Sequence, residues 1–147
     1  MKKALKILAA AVSMSLAVLT PASAAPEEET VSNAYLHLDG AMDEWAAAPA
    51  LRLPSSYHGG HLDSWNNSVI YDDALVIIAY ANRKDNADSL ERAKNMGDAF
   101  LQMQAKDPIG DGRVRNSYGP ENLFDADGVP NILSTGTAAG NQAWAGM

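Results

Sequence analysis

No cysteine occurs anywhere in the 147 residues. A disulfide framework and a nucleophilic thiol are therefore both excluded. Basic residues are scarce, with 11 Lys and Arg against 18 Asp and Glu. Nucleic acid and anionic membranes need a basic footprint, so neither is expected as a partner. The sequence has no phosphate-binding glycine loop and no Ser/His/Asp order, so no cofactor is expected. Nor is any apolar run long enough to cross a bilayer: the stretch from Ile7 to Leu19 falls short of the roughly 20 residues required.

That short run has another reading. Lys2, Lys3 and Lys6 precede it, and Pro21 and the small residues Ala22-Ser23-Ala24 come after it. This is the pattern of a secretory signal peptide over residues 1–24, cleaved before Ala25; a retained anchor is the alternative. Cleavage removes three lysines and no acids, leaving a net charge of −10. A secreted or periplasmic chain fits, with no membrane contact after cleavage. The length suits one domain at most.

Residues 25–35 ("APEEETVSNAY") are polar without apolar period and read as a flexible leader. Asp39-Gly40 followed by Asp43-Glu44-Trp45 resembles the opening of family-9-type carbohydrate-binding modules. No run of strands comes after it, and a short segment packing Trp45 on the domain is the simpler reading. Residues 25–54 are thus a leader and packing segment, and the domain proper begins at residue 55.

From Ser55 to Asn67 the chain is a polar loop. Helix signals start near Ile70, where Tyr71, Ala74, Leu75, Ile78 and Ala79 keep the spacing of one face. Val76 and Ile77 are apolar too, so this helix should be buried on most sides. Its β-branched run would also suit a strand. Asn82 to Ala87 is a turn. Asp88 with Glu91 makes a capping-box pattern that opens a second helix, with a stripe of Leu90, Ala93, Gly97, Phe100, Leu101 and Gln104. Pro108 and Gly110 end it. Residues 107–136 form a long connection in which Gly112 to Tyr118 could be a short strand or hairpin. A third apolar segment then begins. One buried and one amphipathic helix cannot enclose a core of useful size, so the chain reads as the N-terminal part of a larger helical domain.

The stretches "SWNNSVIYDDALVIIAYANR", "DSLERAKNMGDAFLQMQAKDPIGDGRVRNSY" and "TGTAAGNQAWAGM" together resemble the bacterial six-hairpin glycosidase-like proteins. The carriers are Tyr71-Asp72-Asp73-Ala74-Leu75, Asp111-Gly112-Arg113-Val114-Arg115-Asn116, and the run from Thr137 to Trp144. That last run has two residues more between Thr137 and Gly140 than the family pattern. The resemblance implies an all-α fold over residues 55–147: helical hairpins of an incomplete (α/α)6 toroid, with long loops on one face. It also implies carbohydrate chemistry. The expected function is an exported glycoside hydrolase fragment acting on a polysaccharide or oligosaccharide. The alternative is a non-catalytic carbohydrate-binding or cell-surface protein on the same scaffold.

A helical hairpin returns the chain to its starting end, so the loops 55–70 and 107–140 should share one face. Functional sites favour such loops. The face collects Tyr57, His58, His61, Asp63, Trp65, Tyr71, Tyr118, Phe124 and Trp144. Aromatic rings can stack on sugars, while Arg113, Asn116, Asn141 and the acids can bind hydroxyls. Trp65 and Trp144 could equally be core residues. Asp72 and Asp73 are the catalytic candidates. In the first turn of a helix, one acid is explained by the dipole, but two adjacent acids repel. Neighbours also point about 100° apart, so they cannot be the acid and base of one hydrolytic step. A partner carboxylate would come from Asp63, Asp111, Glu121 or elsewhere.

No metal is expected. His58, His61 and Asp63 are zinc-type ligands, but they sit on a Gly-Gly loop without a known site spacing. Asp107 to Gly112 mimics a calcium loop, yet Ile109 and Tyr118 occupy positions that need acids. A looser calcium site at Asp125 and Asp127 stays open.

Overall fold

The computed structural model describes residues 25–147 apart from Ala48 and Asp63. The expected export signal at residues 1–24 and the candidate Asp63 therefore lie outside the described residues. The chain divides after Asn33 into two units, and the core belongs to the second, residues 34–147.

Helix α1 spans Ala25–Met42. Residues 25–35 are thus helical and not a flexible leader. Glu27 and Glu28 in its first turn suit the positive end of the dipole, and a polar helix has no apolar period to reveal it. Its last turns are tied down. Tyr35 donates its hydroxyl to the Ala79 carbonyl at 2.8 Å, and Tyr80 donates to Asp39 at 3.0 Å. Arg92 meets Asp39 at 3.1 Å and Asp43 at 2.6 Å. Met42 and Leu53 are buried in the core, so the domain extends well ahead of residue 55. Trp45 is half-buried, in keeping with a packing role.

Two helices form the expected hairpin: α2, Ile70–Asn82, and α3, Ala87–Ala105. The cap of α3 is Asn86, whose side chain accepts the Ser89 N–H at 2.8 Å; Asp88 lies inside the first turn. Asn86 stands two residues ahead of Asp88 and so reaches the free N–H groups first. Both helices are rotated by about one position from the expected faces. The inward residues are Ile70, Asp73, Ala74 and Tyr80 on α2, and Ala93, Met96, Ala99, Phe100 and Met103 on α3. Leu75, Leu90 and Leu101 are exposed. The methionines fill the seam that the leucines were expected to fill.

The fold is predominantly helical but not all-α. A short antiparallel sheet of order β1-β2-β3 joins the long loops. Strand β1 is Ser68–Val69, β2 is Ser117–Tyr118 and β3 is Ile132–Ser134. Ser68 faces Tyr118, and Tyr118 faces Ile132 across an irregular register. The short strand expected within Gly112–Tyr118 is its middle member. Helix α4, Ala139–Ala145, packs on α2. No helix of the described residues is long and apolar enough to cross a membrane.

Candidate functional site

The sheet brings the two loops together at the N-terminus of α2. Ile70 donates its N–H to the Asn116 carbonyl at 3.1 Å, and Ser56 donates to Asn67 at 2.8 Å. A single 3₁₀ turn, Gly60–Leu62, interrupts the first loop and carries the exposed His61.

Trp65 and Tyr71, ahead of β1 and in the first turn of α2, each belong to an aromatic pair. Tyr57 and Trp65 meet edge-to-face with ring centres 5.7 Å apart. Tyr71 and Trp144 do the same at 5.8 Å. Such geometry is favoured by the ring quadrupoles. Trp65 is 55% exposed and Tyr71 40%, so each pair offers one open ring. Trp144 is half-buried and packs against the core from α4, which accords with a packing role.

The two adjacent aspartates part company. Asp72 is half-exposed. Asp73 is wholly buried, and its Oδ2 accepts the Ser68 hydroxyl at 2.7 Å. Val69 stands at the N-cap of α2 without a side-chain bond, so neither acid acts as the N-cap. A sugar on the surface cannot reach Asp73, which removes it from the catalytic candidates. Burial drives its carboxyl well above the usual range, the Ser68 bond opposes this, and the charge of Asp72 adds to it.

Tyr118 is not a surface ligand either. It is fully buried, and its hydroxyl accepts the Arg115 N–H at 2.8 Å. Burial lifts its phenol above the ordinary value. Tyr118→Phe should destabilise the fold by about 1–3 kcal/mol, the cost of an orphaned buried donor. Urea unfolding of the variant beside the parent checks this. Phe124 is half-buried on the core and bridges Pro130, which takes it off the site.

Asn116 and Asn141 do come together. The Asn116 Oδ1 accepts from Asn141 Nδ2 at 2.8 Å and from the Ala138 N–H at 3.0 Å. Both side chains brace the loop. Arg113 is exposed, but it is bonded to Asp111 and, at 2.9 Å, to Thr137. Asp111 sits between Arg113 and Arg115, whose hydrogen bonds hold its carboxyl well below the usual range. A carboxylate so clamped is a poor general acid or base. Glu121 is exposed. His58 turns toward His37, with ring centres 5.6 Å apart, and lies 3.7 Å from Glu44.

Sequence reasoning missed the pair of Arg115 and Asp107, both buried and directly bonded. The four-residue steps from Asp107 to Asp111 to Arg115 were the available signal. It also missed Ser68, for which no local pattern gave notice. Asp125 spends its Oδ1 on its own turn, accepting from Asp127 at 2.9 Å and Val129 at 2.8 Å. Among the described residues no three His, Asp or Glu side chains are grouped to hold a metal.

A groove of about 450 Å³ lies elsewhere, between residues 49–52 and α3. Its cations are ion-paired, Arg52 to Asp43, Arg92 to Asp39 and Asp43, and Lys94 to Asp98. An anionic ligand there would compete with these pairs, so the groove is not the favoured site. Comparison with protein-family models, curated proteins and solved structures finds no match.

Proposed function

We propose that this chain is an exported carbohydrate-binding domain whose binding surface is the strand-to-helix junction at the start of α2. The observation that carries the reading is the two edge-to-face aromatic pairs, each with one open ring, Trp65 ahead of β1 and Tyr71 in the first turn of α2. Open rings offer an apolar face to the C–H side of a sugar, and Asp72, next in the chain to Tyr71, can accept hydroxyls. The motif resemblance supports the same substrate class, and with it the α2–α3 hairpin as one unit of an (α/α)6 toroid. Export rests on the pattern of residues 1–24.

Glycoside hydrolysis is the second reading, and one observation favours it: Asp72 is a half-exposed carboxylate beside the Tyr71–Trp144 pair. It needs a second carboxylate across the surface, which neither Asp73 nor Asp111 supplies.

Affinity electrophoresis through gels containing neutral polysaccharides tests the proposal. Trp65→Ala and Tyr71→Ala should each weaken retardation about tenfold or more, as loss of a central aromatic contact does. Circular dichroism should stay unchanged for the exposed Trp65. Variants that bind as the parent does, or a parent that no polysaccharide retards, would sink the reading.

A further inference from the structure

The aromatic surface makes no use of Asp73, and its surroundings are unusual. One carboxyl oxygen has the Ser68 hydroxyl; the other, Oδ1, is buried with no donor. Asn67, adjacent to Ser68, also has a buried acceptor oxygen without a donor. Among the described residues no cation is paired with Asp73. The ionisable group acting on it is Asp72, and that charge is repulsive.

An ionised carboxylate there would be a buried charge with a single hydroxyl for company. Such groups take up a proton instead. The positive end of α2 works against this, but it acts through N–H groups, and none donates to the orphaned Oδ1. A proton on Oδ1 turns this orphaned acceptor into part of a neutral group and removes the buried charge.

We infer that Asp73 is a neutral carboxylic acid whose bond from Ser68 latches the start of α2 to β1, and that ionising it costs the folded chain stability because the charge is buried. The latch secures the turn bearing Tyr71 and Asp72, but the inference stands whether or not that turn binds carbohydrate. The sign of the pH dependence is set by the proton. The folded chain keeps a proton that the unfolded chain has lost. Stability from this group is complete below the unfolded carboxyl pKa of about 4. It falls as pH rises, until the folded group ionises. Asp43, Asp107 and Asp111, held low by arginines, act oppositely: their contribution is lost only as pH falls below about 4. The two windows are separate.

The test is urea unfolding of the full chain between about pH 5 and about pH 8, for the parent and for Asp73→Asn. The neutral isostere cannot ionise. The parent should lose about tenfold in folding constant per pH unit relative to the variant, up to the folded pKa. Equal pH dependence in the two chains overturns the inference. Should Asp73→Asn not fold, infrared spectroscopy of the aspartate-labelled parent decides. A protonated carboxyl band near neutral pH supports the latch, and a spectrum of ionised aspartates alone overturns it.

Discussion

Replacing Arg115 with alanine should lower the melting temperature by about 10–20 °C, the scale expected when a buried charge loses its partner in a domain of this size. The Arg115 side chain is 2% exposed and that of Asp107 is fully buried. The guanidinium bonds Asp107 through Nε at 3.0 Å and reaches Asp111 at 2.7 Å through a terminal nitrogen. Without it, the Asp107 carboxylate keeps only backbone N–H donors, that of Gly110 at 3.1 Å among them. Arg115 is the main reason that Asp107 titrates below the usual range. The parent should therefore lose stability as pH falls below about 4 toward the lowered pKa of that carboxylate. The variant should lose this acid sensitivity, because burial then pushes the same carboxyl upward. Joint replacement, Asp107→Asn with Arg115→Met, should recover much of the loss, since no buried charge is left alone. Thermal melts at two pH values check the sequence of effects. An Arg115→Ala melt within about 2 °C of the parent would show that water already screens the pair.

A chain beginning at Ser55 should show no cooperative unfolding at all. Met42 and Leu53 are 1% and 0% exposed, and both would be gone. The Tyr80 hydroxyl would lose Asp39, and the Ala79 carbonyl would lose Tyr35. Arg92 would lose both of its carboxylates. Leu53→Ala alone should cost about 2–5 kcal/mol by opening a cavity. A small domain has only about 5–15 kcal/mol in total, so the larger deletion should exhaust it. Urea titration followed by tryptophan fluorescence is the measurement. A cooperative transition with the parental m-value in the shortened chain would place the domain boundary back at residue 55.

Both predictions concern features that the sequence revealed unequally. The α2–α3 hairpin was legible because Ala74 begins an uninterrupted apolar run and Pro108 closes the amphipathic helix after it. The phase of each helix was not. An almost wholly apolar helix has no wet side to fix its rotation, and an acid such as Asp73 is not counted among inward positions. Strands of two or three residues are too short for a period of two to register, so β1 and β3 escaped notice. They exist because partners distant in the chain supply their bonds. The meeting of the two loops was legible from hairpin topology alone, and with it the neighbourhood of Tyr71 and Trp144. Which side chains there face outward depended on tertiary packing. That is why Tyr118 and Asp73 changed from candidate ligands to interior supports.

Asn116 gives the long connection after α3 a different character from its composition. Its carbonyl takes the Ile70 N–H, its own N–H goes to Gly136 at 2.8 Å, and its side chain takes Ala138 and Asn141. A stretch running from Asp107 to Ala138 would be one large ring if it closed only at its ends. This residue, with the bond from Asn131 to Leu123 at 3.0 Å, partitions it into several small rings. The entropy of closing a ring grows only with the logarithm of its size, so the partition gains little through shorter rings. Its effect is mechanical: lengthening or shortening one ring leaves the geometry of the others intact. Ala126 and Asp127 can thus vary without moving the rest, Gly128 being held by its positive φ, while a change at Asn116 is felt in each ring that it closes.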